Sequence, residues 1–133
     1  MAPIQRIRPE GLVFSPAFSH VAVVPPGATT IYVGGQNAVD ADGTLVGPGD
    51  VAAQSGRALQ NVKTALAAAG AGVADVVQWT VLFVDGVDVA AGYGAVASEL
   101  ASDEPGLVTA ALVAGLGVPG ALVEISAVAA LTQ

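Results

Sequence analysis

The chain contains no cysteine and only one histidine, His20. The first absence excludes disulfides and thiolate chemistry, and the second excludes a multi-histidine metal site, so no metal or other cofactor is expected. Positive charge is also scarce. Arg6, Arg8, Arg57 and Lys63 are its 4 basic residues, which leaves the 70 residues after Lys63 without any. Against 11 acidic residues, the formal net charge is −7. Phosphate backbones are held by clustered Lys and Arg, so nucleic acid is not an expected partner, and Arg6 and Arg8 are too few for a basic arm. Gly, Pro or a charge interrupts every apolar run before it reaches transmembrane length. The start Met1-Ala2-Pro3-Ile4-Gln5-Arg6 has no apolar signal core. No membrane partner is expected, and a cytoplasmic location is the default.

What remains is strongly apolar. Hydrophobic residues make up 53% of the chain and charged residues 11%, about half the usual charged share. A length of 133 residues fits one domain, residues 1–133, which would bury roughly two-thirds of its unfolded surface. With so little surface charge, part of the apolar surface is expected to lie against partner subunits.

Short strands are predicted at Gly11–Phe14, Phe18–Val24 and Thr30–Gly34, the second ended by Pro25-Pro26-Gly27. Asp40-Ala41-Asp42-Gly43 supplies turn chemistry. Asp50 reads as the N-cap of a helix with apolar residues at Val51, Ala58, Leu59, Val62, Ala65, Leu66 and Ala69, closed by Gly70. Arg57 and Lys63 lie off that stripe and are expected to face solvent. Val76–Val84 is the clearest strand, with Trp79 expected in the core between sheet and helix. A second helix is expected from Asp88 to about Leu100, weakened by Gly92 and Gly94. Strands at Leu107–Ala114 and Ala121–Leu131 close the chain. The order β-β-β-α-β-α-β-β predicts an α+β fold, a mixed six-stranded sheet with two helices packed on one face.

The final strand carries a carboxylate. Glu124 stands inside Ala121-Leu122-Val123-Glu124-Ile125-Ser126-Ala127-Val128. Burying it is costly unless something binds it, and no cation from the same half of the chain is available. A carboxyl in a largely apolar cleft is suited to general acid or base work. The alternative is a structural carboxylate bonded to backbone N–H groups or to a neighbouring subunit.

Several ordered segments resemble one known family. They are Tyr32-Val33-Gly34-Gly35-Gln36, Asp50-Val51-Ala52-Ala53-Gln54, Leu59-Gln60-Asn61-Val62-Lys63, Ala68-Ala69-Gly70-Ala71, Asp75-Val76-Val77 and Pro119-Gly120-Ala121-Leu122-Val123-Glu124-Ile125. Together they resemble the Rid family, also called YjgF or reactive intermediate deaminases, over about residues 15 to 130. The resemblance implies a chorismate-mutase-like homotrimer with small-molecule clefts between subunits. It also implies hydrolysis of 2-iminoacids or their enamine tautomers. In the best-known members an arginine holds the substrate carboxylate and a glutamate positions water. The glutamate corresponds to Glu124. The arginine should fall in Pro105-Gly106-Leu107-Val108-Thr109, where this chain has Leu107 or Val108, with Thr109 the nearest hydroxyl. The family's serine corresponds to Gly34, its tyrosine to Phe18 and its asparagine to Tyr93.

The expected catalytic residues are therefore Glu124, Tyr93 and His20. Tyr93 could donate a phenol hydrogen bond or simply pack on the sheet. His20 carries an imidazole, a common general acid or base, yet a lone strand histidine often serves architecture. Phe18, Gly34, Gly35, Leu107, Val108 and Thr109 are the expected substrate-binding positions. Gly34-Gly35 either lets backbone N–H groups approach an oxyanion or marks a strand bulge. A missing guanidinium clamp implies a neutral substrate or one held by backbone N–H groups. The expected function is acid–base chemistry on an enamine- or enol-like small molecule: hydrolysis, tautomerisation, dehydration or condensation. The alternatives are a non-catalytic trimeric metabolite-binding protein and a residual imine deaminase.

Overall fold

The computed structural model describes residues 2–132. Strands β1 (Gln5–Ile7) and β2 (Val21–Val23) form an antiparallel ribbon. Strands β3 (Thr29–Gln36), β4 (Val76–Val84), β5 (Leu107–Val113) and β6 (Val123–Leu131) form a mixed sheet in the order β3-β6-β4-β5. Only β4 and β5 run parallel. Helices α1 (Val51–Ala68), α2 (Val89–Gly94) and α3 (Ala97–Leu100) complete the fold, with a 3-10 turn at Val73–Asp75.

The α+β class holds, with its mixed sheet and helices. The six strands, however, divide into a sheet of four and a ribbon of two. The first strand is Gln5–Ile7 rather than Gly11–Phe14. Gly11 there takes a φ of 95°, while Leu12, Val13 and Phe14 are exposed. That segment lies between Pro9 and Pro16, neither of which can donate to a ladder. The ribbon is tied to the body by arginines. Arg6 Nη2 donates to the carbonyls of Ala74 and Val76, each at 3.0 Å. Arg8 donates to the carbonyls of Phe18 and Asp103 and lies 5.2 Å from the centre of the Phe14 ring.

The long helix forms as its sequence dictates. The Asp50 carboxylate accepts from the Ala53 N–H at 3.0 Å, and Gly70 turns the chain out of the helix with a φ of 77°. Leu59, Val62 and Leu66 are fully buried against the sheet. The second predicted helix breaks at Ala95–Val96 into α2 and α3, where Val96 leaves helical geometry and is buried in the core. Gly92 allows α2 to approach closely. A Cβ there would stand 2.6 Å from Phe83 Cε1 and 3.0 Å from Val51 Cγ2. Gly92→Ala is therefore expected to destabilise by about 1–2 kcal/mol despite alanine's better helix propensity, because the buried Phe83 ring must shift. Urea unfolding measures this as a lower midpoint at constant slope.

Alternation gives the four-stranded sheet two unlike faces. Trp79, Val81 and Phe83 of β4, with Val123, Ile125, Ala127 and Ala129 of β6, are buried on the helical side. The opposite face presents Thr80, Leu82 and Val84 of β4 and Glu124, Ser126 and Val128 of β6, all only half-buried. Tyr32 of β3, paired with Val128, is 79% exposed there. Nothing among the described residues packs a further layer on this second face.

Candidate functional site

Glu124 belongs to the uncovered face. It pairs with Leu82 near the C-terminal end of β4. Beside it β3 carries an extra residue: Val33 opposes Ala127 while Gln36 opposes Ile125. Gly34 and Gly35 form this bulge, and the bulge brings the Gly35 backbone under the carboxyl of Glu124. A Cβ at Gly35 would stand 2.5 Å from both Cδ and Oε2 of Glu124. Glycine leaves room for the carboxyl in this position, and backbone conformation plays no part, since neither Gly34 nor Gly35 takes a positive φ.

Among the described residues no cation pairs with Glu124. The single ion pair among the described residues is Lys63 with Glu99, between α1 and α3. Among the described residues no hydrogen bond ends on the Glu124 oxygens either. Two hydroxyls adjoin it on the same face. Thr80 pairs with Ser126 on β6 and with Thr109 on β5, giving a row of hydroxyl residues one step along from the Leu82–Glu124 pair. Thr80 and Ser126 are absent from the sequence-based candidates. The signal that places Ser126 is its two-residue spacing from Glu124 in a strand.

A buried amide network holds the start of β6. Gln54 of α1 is fully buried, donates to the carbonyls of Gly47 and Gly120, and accepts from the Leu122 N–H at 2.8 Å. Asn37 donates to the Val123 carbonyl at 3.0 Å. Asn61 donates to the carbonyls of Asn37 and Val39. Gln54 and Asn61 stand in segments that carry the family resemblance, and Gln54 and Asn37 fix the chain just before Glu124, from Gly120 to Val123.

The other candidates lie elsewhere. Leu107 and Thr109 face the same side as Glu124, whereas Val108 pairs with Trp79 and packs against the helical core. Leu107 pairs with Gln78, four residues along β4 from Leu82, and β5 is two strands from β6. Strand geometry therefore separates Leu107 from Glu124 by roughly 16 Å and Thr109 from it by roughly 12 Å. Phe18 and His20 stand further off, where the Ser19 N–H donates to the Gly106 carbonyl at 3.2 Å. His20 Nε2 lies 2.8 Å from the Val13 carbonyl oxygen, so that nitrogen carries the proton, and the ring edge meets Phe18 at 5.4 Å between centroids. Tyr93 sits on α2 against the core, on the helical side, where burial pushes its phenol pKa up. Within one chain, then, Glu124, Gly34 and Gly35 come together, while His20, Phe18, Tyr93 and Leu107 do not join them. No three His, Asp or Glu side chains among the described residues are grouped as metal ligands.

A mixed four-stranded sheet, helices on one face only and a lone carboxylate over a glycine bulge on the other define a class of small α+β proteins. The model of the family described as Endoribonuclease L-PSP matches residues 13–131. Among solved structures, the Rid-family protein YyfB from Yersinia pestis is 32% identical, covering 96% of this chain and 98% of its own, with a TM-score of 0.84. The YjgF gene product of E. coli is also 32% identical over 80% of this chain and 83% of its own, with a TM-score of 0.67. Rv2704 of Mycobacterium tuberculosis, a YjgF/YER057c/UK114 family member, is 27% identical over 97% of this chain and 100% of its own, with a TM-score of 0.66. The chain belongs to the Rid (YjgF) family.

Proposed function

We propose that this protein is a small-molecule enzyme in which Glu124 moves protons on a neutral imine, enamine or enol-like substrate. The observation that carries this reading is the Glu124 carboxyl seated on the Gly35 backbone, with no ion-pair or hydrogen-bond partner among the described residues. An unpaired carboxylate on a half-apolar face is suited to accept a proton. In imine hydrolysis it would take a proton from water as the oxygen attacks the imine carbon. It would return that proton to nitrogen to give the carbinolamine, then carry the hydroxyl proton to nitrogen as the carbonyl forms and the C–N bond breaks, releasing ammonia or an amine. Backbone N–H groups of the Gly34–Gly35 bulge are the candidate partners for developing negative charge. Leu107 and Thr109 offer no charge to a substrate carboxylate, which favours neutral substrates.

The reading includes a homotrimer. Its support is the uncovered face, half apolar and carrying Tyr32, together with the distance between Leu107 and Glu124 in one chain. Packing copies around that face would bring the β5 end of one subunit toward Glu124 of the next. RNA cleavage, the activity that the name Endoribonuclease L-PSP carries, is disfavoured by the charge of −7. Arg6, Arg8 and Lys63 are moreover already engaged by carbonyls or by Glu99.

The test is ammonia release from enzymatically generated 2-iminobutyrate and from its neutral amide. The wild type is expected to accelerate the amide above its spontaneous rate and to do little for the acid. Glu124→Gln is expected to reduce that rate by about 10²–10⁴-fold without changing the assembly state. Unchanged turnover in Glu124→Gln rejects the role of the carboxylate. Binding of the amide by both proteins with turnover by neither would identify a carrier or sensor instead.

A further inference from the structure

Arg57 is expected from its helical position to face solvent, but it is half-buried and lines a cavity of about 480 Å³ between α1 and the loop after β3. The other polar lining groups are Gln36, Asp40, Asn61 and Thr64, and the apolar lining includes Val39, Ala65 and Ala68. The size suits a small metabolite. The cavity is formed by α1 and so lies across the sheet from the face that carries Glu124.

Three of the four cations are already committed. Arg6 and Arg8 bond backbone carbonyls through terminal nitrogens, and Lys63 pairs with Glu99. Arg57 differs. Its Nε donates to Asn61 Oδ1 at 3.0 Å, while its two terminal amino groups have no partner among the described residues. Asn61 is itself fixed by its bonds to the carbonyls of Asn37 and Val39. The guanidinium is thereby oriented, with its end-on fork free for a carboxylate.

Asp40 supplies the opposite charge. Its Oδ1 accepts the N–H groups of Asp42 and Thr44 at 2.9 and 3.0 Å, which holds the carboxylate in place and leaves Oδ2 free. Arg57 and Asp40 line one cavity without pairing with each other. A polyanion would be repelled by Asp40, and a cation by Arg57. A zwitterion satisfies both. We propose that this cavity is a second ligand site that binds a small apolar α-amino acid. Its carboxylate would sit on Arg57, its ammonium at Asp40, and its side chain against Val39, Ala65 and Ala68.

The test is calorimetric and amide-shift titration of the full chain with L-valine, with 3-methylbutanoate, which lacks the ammonium, and with L-valinamide, which lacks the carboxylate. L-valine is expected to bind saturably, with shifts centred on residues 36–41 and 57–68. Each analogue is expected to bind about tenfold more weakly or worse. Arg57→Gln should weaken L-valine by at least about tenfold. Asp40→Asn keeps an acceptor for the turn, and should bind L-valine and 3-methylbutanoate alike. Glu124→Gln should bind L-valine as the wild type does, which separates this site from the proposed reaction. Melting curves establish folding first, and if Arg57→Gln is unfolded, Arg57→Lys tests loss of the fork. No saturable L-valine binding, equal affinity in the Arg57 variant, or shifts centred on Gly35 and Glu124 would each overturn the proposal.

Discussion

Gln54→Leu is expected to lower the unfolding free energy by about 3–5 kcal/mol, since each buried polar group left without its partner costs about 1–3 kcal/mol. Gln54 is fully buried and serves three backbone groups, one in the loop before α1 and two just before β6. Its amide nitrogen donates to the carbonyls of Gly47 and Gly120, and its oxygen accepts from the Leu122 N–H. Leucine has nearly the same size, so packing survives while all three groups lose their partner. Gln54→Glu should be worse than leucine. It keeps an acceptor for Leu122 but directs carboxylate oxygens at two carbonyls, with no cation at hand. Urea unfolding followed by circular dichroism measures both, and a constant slope would show that the unfolded state is unchanged. A loss below about 1 kcal/mol in the leucine variant would mean that water takes over the amide's bonds. The position matters beyond stability, because Gly120 and Leu122 lead directly into the strand that carries Glu124.

Elements whose causes are local were legible in the sequence. Helix α1 is bounded by a capping aspartate at Asp50 and a left-handed glycine at Gly70, and its apolar stripe has helical period. Strand β4 is a long run of β-branched and aromatic residues. The two-residue period of β6 sets Glu124 apart from the buried Val123 and Ile125. Features with distant causes were not legible. Gly11–Phe14 is apolar enough for a strand, while Gln5–Ile7 carries Arg6 and looks like a polar tail. What makes the latter a strand is pairing with Val21–Val23 and the bonds of Arg6 to carbonyls about seventy residues away. Arg57 presents the same difficulty. Periodicity places it off the apolar stripe, but the loop that folds over that side of the helix is invisible to periodicity. The division of the six strands into four and two likewise depends on which edges meet, and alternation says nothing about that.

The site was legible by halves. Glu124 and the Gly34–Gly35 pair were recognisable, and they do lie together. The roles of Gln54, Asn37 and Asn61 were not, because an amide on a helix or after a strand shows nothing locally of the carbonyls it will meet. His20 and Tyr93 have chemically versatile side chains, which is why they drew notice. Their placement follows from ordinary packing: one is bonded to the Val13 carbonyl and the other lies against the core.

Gly35→Ala is expected to reduce turnover about as much as Glu124→Gln, by about 10²-fold or more, while the folded protein loses no more than about 1 kcal/mol. Gly35 has no positive φ, so alanine's backbone fits without strain. The added methyl cannot fit with the carboxyl where it stands, because it would lie 2.5 Å from Cδ and Oε2 and 2.9 Å from Cγ of Glu124. The carboxyl is the end of a flexible side chain on a half-open face, so it moves aside at small cost in stability. What is lost is its position, and proton transfer depends steeply on position. If the two residues act as a unit, the double variant Gly35→Ala/Glu124→Gln will be no slower than Glu124→Gln alone, because the methyl displaces a group that has already lost its function. Gly56→Ala, on α1 with nothing within 4 Å of its added Cβ, controls for the loss of a glycine as such. Additive losses in the double variant would mean that Gly35 contributes separately, through its own N–H or through room for the substrate. Full turnover in Gly35→Ala would mean that the chemistry does not depend on where this carboxylate sits.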